Sequence, residues 1–143
     1  MKIVDVNVLL YALNEDAAHH APLLEWWTDA LNGDESIGLP WSVVVGFLRI
    51  VTNPRVLPRP LQPTDAIQVV DDWLACPNVS LAREKEAHWE TLRALVAETG
   101  TAGNLTTDAH LAALAMTYDA TLVSCDNDFG RFESLRWQNP LAG

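Results

Sequence analysis

Apolar positions change their spacing several times along the chain, and each change marks a boundary between elements. Lys2, Ile3 and Val4 form a short β-branched run. After Asp5, apolar residues recur at Val6, Leu9, Leu10 and Leu13, the spacing of a helix. A second helix fits residues 22–31, with Pro22 near its start and Gly33 just past its end. Residues 37–39 read as a strand closed by Pro40. Residues 41–52 then read as a helix so uniformly apolar (Val43, Val44, Val45, Phe47, Leu48, Ile50, Val51) that burial on all sides is expected.

The proline-rich stretch 54–63 reads as a loop, and Thr64 or Asp65 is placed to cap a helix running to about Ala75. A strand at 79–82 and a helix over 86–98, ended near Gly100, follow. Thr106 or Thr107 caps a further helix through about Tyr118. The last strands are expected at 121–124 and 135–137. Short strands alternating with helices predict an α/β fold: a three-layer α/β/α sandwich around a mostly parallel sheet. No repeat or second domain interrupts the pattern, so residues 1–143 read as a single domain.

In such sheets functional groups collect beyond the carboxyl ends of the strands. Asp5 directly follows the first strand, and Asp126 and Asp128 follow the strand at 121–124. Asp108 lies in the first turn of the helix before that strand. Each acid has a structural explanation by itself: a helix cap for Asp5, a favourable helix-dipole position for Asp108, turn formation for Asp126 and Asp128. If the first and fourth strands are neighbours, however, the four converge, and clustered carboxylates repel one another unless a cation joins them. All-oxygen donors select hard divalent ions, Mg2+ or Mn2+. Such an ion acidifies water and offsets charge on a phosphoryl group, which suits phosphodiester hydrolysis.

Other chemistries find less support. His19, His20, His88 and His110 are not spaced as zinc ligands, and Cys76 and Cys125 form neither a CxxC site nor a redox pair; both thiols read as reduced and core-packed. There is no phosphate-binding loop of the GxxxxGK[ST] type. A phosphorylated Asp5 would need a lysine late in the chain, whereas the last is Lys85.

Composition complicates the picture. The 143 residues carry 19 acids against 9 bases, a formal charge of −10, which opposes broad affinity for nucleic acid. Between Ser36 and Thr64, though, there are three arginines and no acid. Arg49, Arg55 and Arg59 are therefore the candidate contacts to a nucleic-acid backbone, while Trp41 and Trp137 are candidates to stack on bases, with core or interface packing as their alternative. Asp5 interrupts any apolar leader, and the longest uncharged run, 36–48, is 13 residues against the roughly 20 that span a bilayer. The expectation is a cytoplasmic protein without a membrane segment.

Several runs resemble a known family. Residues 4–12 (VDVNVLLYA), 104–115 (NLTTDAHLAALA) and 121–129 (TLVSCDNDF) resemble the motifs of PIN domains, and 47–55 (FLRIVTNPR) and 135–141 (LRWQNPL) resemble their VapC toxin branch. The resemblance implies a metal-dependent endoribonuclease, the toxin of a VapBC toxin–antitoxin pair. It also implies a sheet of about five strands, a homodimer, and a VapB-type antitoxin that wraps the toxin and blocks its acidic site. By motif position, Asp5, Asp108 and Asp126 correspond to the family's catalytic metal-site acids, with Asp128 as a helper and Asn7 and Ser124 as polar groups that orient them.

One position departs from the family. An acid, usually Glu, precedes the Phe-x-Arg segment there, and here it is Gly46. Water could fill the vacated space as a metal ligand, Glu15 or another acid could substitute, or the chain could be a catalytically weakened domain acting by binding RNA or antitoxin.

Overall fold

The computed structural model describes residues 1–100 and 103–142; the Asn104 side chain, part of one quoted motif, lies outside the described residues. Five parallel strands form one sheet in the order β3-β2-β1-β4-β5. They are β1 (Lys2–Val4), β2 (Ile37–Pro40), β3 (Val79–Ala82), β4 (Thr121–Val123) and β5 (Trp137–Gln138). The helices are α1 (Val6–Leu13), α2 (His20–Asn32), α3 (Trp41–Val51), α4 (Pro63–Ala75), α5 (His88–Thr99) and α6 (Thr106–Thr117). α1 packs on α2 and α3, and α3 on α4, while α5 packs on α6. The chain steps from β1 through β2 to β3 and then returns to β4, and crossovers of the usual right hand then put the helices before β3 and those after it on opposite faces.

The order matters for chemistry. β1 lies between β2 and β4, and the direction of chain progression reverses there, so the crevice beyond its carboxyl end is a topological switch point. The sheet is held by wholly buried apolar residues, among them Ile3, Val4, Ile37, Leu39, Leu122 and Val123. Gly38 is required by close approach. A Cβ there would lie 2.6 Å from Ile3 Cδ1 and 3.1 Å from the Ala82 Cβ. Beneath α1–α4, Trp73 stands edge-on to Trp27 at 5.5 Å and packs on Phe47 at 4.8 Å.

Several boundaries differ from the sequence reading, each for a local reason. α4 begins at Pro63 rather than being capped by Thr64 or Asp65, because the fixed φ and missing N–H of proline suit a first helical turn. α6 follows a 3-10 turn, Gly103–Leu105, and has no side-chain cap; Thr106 is its first residue. The final strand falls at Trp137–Gln138, since the Leu135 N–H closes a turn onto the Phe132 carbonyl. α3 is not buried all round: Trp41 is 46% and Val45 59% exposed, while Val43, Val44, Phe47 and Val51 face the core. Neither cysteine is fully buried; both pack at the margin of the core as free thiols.

Candidate metal centre

Asp5 ends β1 and starts α1, and its two oxygens are used differently. Oδ1 accepts the Val6 N–H at 2.7 Å, the helix cap anticipated from sequence. Oδ2 accepts the Ser124 hydroxyl at 2.7 Å and the Asn7 amide at 3.4 Å. The β1–β4 pairing carries this junction, with the Asp5 N–H donating to the Val123 carbonyl at 2.9 Å. Ser124, one residue past β4, is 0% exposed. Its hydroxyl, besides donating to Asp5, accepts the Asn7 amide and the Asp126 N–H, each at 3.1 Å. One donor and two acceptor positions are all a hydroxyl has, so the group is saturated. Asn7 Oδ1 then accepts the Cys125 N–H at 3.1 Å. Asn7 and Ser124 thereby bind the first acid to the loop that carries the next two.

That loop turns into a 3-10 helix, Asn127–Arg131, capped by Asp126, whose Oδ1 accepts the Asp128 N–H at 2.9 Å. Asp108, in the first turn of α6, faces it. Carboxylate oxygens of Asp108, Asp126 and Asp128 all lie within 4.8 Å of one another. Asp5 stands outside this tightest group, held back by its bonds to Val6 and Ser124, yet close enough to be felt electrostatically.

The electrostatics show a site short of positive charge. Burial, then the charges of Asp126, Asp5 and Asp128, push the Asp108 carboxyl up to about 6. Burial also raises Asp5, against the lowering by its hydrogen bonds from Ser124 and Val6, with Asp126 adding to the rise. Burial and the Asp5 charge push the Cys125 thiol up to about 11. Among the described residues, the only ion pair reaching the cluster is Arg131 Nε to Asp128 Oδ1 at 3.9 Å, between exposed side chains. Three convergent carboxylates, among them Asp108 with its raised proton affinity, and only oxygen donors fit a hard divalent cation. Such an ion would take the place of the missing counter-charge.

The remaining candidates are distributed around the molecule. Arg49 is in the last turn of α3 and Arg55 in the following loop; both are exposed, with no ion pair among the described residues. Arg59 is engaged: its Nη2 and Nε bind Asp16 at 2.9 and 3.2 Å, and Glu15 lies 3.6 Å away. This clasp keeps Glu15 beyond the far end of α1, so it does not fill in for the acid missing at Gly46. Gly46 itself is buried, and a Cβ there would sit 3.7 Å from Val6 Cγ2, an ordinary contact beside the residue that follows Asp5. The histidines are occupied elsewhere, His88 Nε2 lying 2.9 Å from His110 Nδ1 and His20 Nδ1 2.9 Å from the Tyr11 carbonyl. Sequence reasoning missed Trp137 as a contact of the site: its indole N–H donates to the Ser124 carbonyl at 3.0 Å.

Comparison with known proteins agrees with this geometry. A PIN domain signature matches residues 2–135. Ribonuclease VapC37 of Mycobacterium tuberculosis is 46% identical over 142 residues, covering 99% of each chain. Ribonuclease VapC33 of the same species is 45% identical, again over 99% of each chain. VapC ribonuclease Mb2897 of Mycobacterium bovis is 46% identical over 100% of this chain and 97% of its own. Among solved structures, VapBC2 of Rickettsia felis bound to a promoter DNA fragment aligns with a TM-score of 0.71 at 16% identity, over 96% of this chain and 97% of that one. VapBC-1 of nontypeable Haemophilus influenzae gives 0.69 at 14% identity over 98% of each, so these two support the fold. The chain belongs to the VapC ribonucleases of the PIN-domain family.

Proposed function

We propose that the protein is the toxin of a VapBC-type pair and hydrolyses RNA with a Mg2+ or Mn2+ ion held at the carboxyl edge of the sheet. The observation that carries this is the convergence of Asp108, Asp126 and Asp128 within 4.8 Å, with Asp5 beside them, at the switch point of the sheet. Asp5 and Asp126 are the principal ligands in this reading, Asp128 assists, and Asp108 holds the ion or orients the attacking water. When bound, the ion acidifies a water and offsets charge on the phosphoryl oxygens. Asn7 and Ser124 keep Asp5 and the Asp126 loop in register. The products are a 5′-phosphate and a 3′-hydroxyl.

Arg49 and Arg55, exposed and without an ion pair among the described residues, are free to meet an RNA backbone; Arg59 reaches one only by leaving Asp16. The partner is a VapB-type antitoxin with a basic segment complementary to the −10 chain, and the working unit is a cytoplasmic homodimer. No helix among the described residues is long and apolar enough to cross a membrane. The binding-only reading raised by Gly46 loses support, because the other acids converge and the full-length relatives are named ribonucleases.

The test is incubation of metal-stripped protein with structured RNAs, with and without Mg2+ or Mn2+, followed by analysis of the product ends. Cleavage that needs the metal and disappears in Asp5→Asn is expected. Cleavage indifferent to metal, or to Asp5→Asn, would overturn the proposal.

A further inference from the structure

Asp126 and Asp128 follow a strand of only three residues, and nothing in that short segment alone explains how two like-charged side chains stay aimed at Asp108. The inner restraint comes from Asn7 and the Ser124 hydroxyl. A second restraint comes from the opposite side, and it is built by the C-terminal segment. The Ser124 N–H donates to the Gln138 carbonyl at 3.1 Å, and the Ser124 carbonyl accepts the Trp137 indole at 3.0 Å. Every polar group of this fully buried residue is therefore committed, both backbone groups to β5.

Two residues further on, the Asn139 amide donates to Asn127 Oδ1 at 3.2 Å, reaching the residue between the two acids. Asn139 is itself oriented by the Leu141 N–H, which donates to its Oδ1 at 2.9 Å. The Trp137 ring also backs the 3-10 turn: a Cβ added at Gly130 would lie 3.5 Å from its Cζ3. β5 is a two-residue edge strand, too short to add much to the sheet by backbone pairing. The side chains of Trp137 and, just past the strand, Asn139 instead converge on one target, the loop from Ser124 to Arg131.

We propose that Trp137 and Asn139 are positioning residues of the metal centre, gripping the Asp126–Asp128 loop from outside so that both carboxylates are presented to the divalent ion before it arrives. The assignment rests on the metal-centre reading above and deepens it. Trp137 then acts on the site through the Ser124 carbonyl rather than by stacking on RNA bases. Preorganisation of this kind lowers the cost of binding, because mutual repulsion of the acids is already overcome by the fold. Removing hydrogen bonds one step behind the ligands of a metal commonly costs 10- to 100-fold in affinity.

Trp137→Phe keeps the ring and removes the donor; Asn127→Ala and Asn139→Ala open the second bond from either side. The measurement is Mn2+ affinity by calorimetry at pH 7.5, paired with thermal unfolding in EDTA and with RNA cleavage at saturating Mn2+. For Trp137→Phe we expect affinity to fall about 10-fold, at the lower end of that range. The unfolding midpoint of Trp137→Phe should fall, because the buried Ser124 carbonyl loses its donor, whereas those of the asparagine variants, whose bond is exposed, should change little. Cleavage should return when Mn2+ is raised, with KM for RNA unaltered. The two asparagine variants should weaken Mn2+ binding alike, and their combination should add less than about twofold, as partners in one bond do.

Should Trp137→Phe fold poorly, Asn127→Ala carries the test, since it leaves the Asn139–Leu141 bond in place. Variants that bind Mn2+ within twofold of the parent, or a KM for RNA that rises while Mn2+ affinity holds, overturn the grip. A parent protein that binds no Mn2+ at all overturns the metal-centre reading instead, and the grip with it.

Discussion

Two groups of acids flank the same short helix, and they have opposite fates. Beyond the C-terminal end of α1, Glu15 and Asp16 meet Arg59, which satisfies them with bonds as short as 2.9 Å between exposed side chains. At the N-terminal end, Asp5 joins Asp108, Asp126 and Asp128, and among the described residues the only base paired with them is Arg131, at 3.9 Å from the most exposed member. The first group ties the proline-rich loop to the turn before α2. The second leaves Asp108 raised to about 6. Carboxylates alone therefore do not define a site; carboxylates held together without their own cation do.

The largest expected effect comes from breaking the device that holds the second group together. Ser124→Ala removes the hydroxyl's bonds to Asp5 Oδ2, the Asn7 amide and the Asp126 N–H at once and takes from the Asp126 N–H its acceptor, and leaving a buried polar group unpaired costs about 1–3 kcal/mol. Chemical denaturation should show a loss in that range, together with weaker Mn2+ binding. An unchanged stability would mean that the network does not restrain the loop.

Acidity separates the two groups next. In the metal-free protein, folded Asp108 keeps a proton that the unfolded chain releases between the ordinary carboxylate range and about 6. Native protein binds more protons in that window, so stability falls as pH rises through it; Asp5 shifts in the same direction. Thermal unfolding in EDTA should accordingly show a lower midpoint at pH 7.5 than at pH 5. Added Mn2+ should stabilise more at the higher pH, where the acids are charged and ligand binding favours the folded state. An equal Mn2+ shift at both values would contradict the shortage of positive charge at the site.

Smaller effects sharpen the contrast. Gly46→Ala places a methyl in ordinary contact with Val6, and a glycine in a helix interior costs about 1 kcal/mol against alanine, so stability should rise by roughly 0.5–1 kcal/mol. Arg59→Ala removes an exposed pair, of a kind that adds little to stability. Its unfolding midpoint should drop slightly, less so in high salt, with Mn2+ affinity untouched. A fall in Mn2+ affinity for Arg59→Ala would join the two acid groups that the structure keeps apart.

How much of this was legible in the sequence follows from how local each signal is. β1 and Asp5 were readable because a β-branched run stops at an acid, and the strand β3 fell at residues 79–82 as expected. The convergence of acids was readable only conditionally, since strand neighbours are not written in spacing; the β1–β4 pairing supplies that condition. The exposed face of α3 was hidden because Trp41 and Val45 are as apolar as the residues that face the core. Arg59 was a reasonable RNA contact until its partner Asp16, 43 residues away, appeared beside it. The 3-10 helix after Asp126 looked like an ordinary turn, because Asn and Asp favour both. Trp137 reads from the sequence as a stacking or packing residue, and its bond to Ser124 is not legible there because it arises from edge-strand pairing rather than from any local pattern.

The central claim is that the uncompensated acids at the carboxyl edge exist to hold the ion on which RNA hydrolysis depends. The most direct measurement is a Mn2+ titration of RNA cleavage by metal-stripped protein, with Asp126→Asn alongside. The account predicts no cleavage without metal, saturable activation in the parent, and a loss of at least about 100-fold in Asp126→Asn at Mn2+ levels that saturate the parent. Equal cleavage by the two proteins across the titration would contradict it.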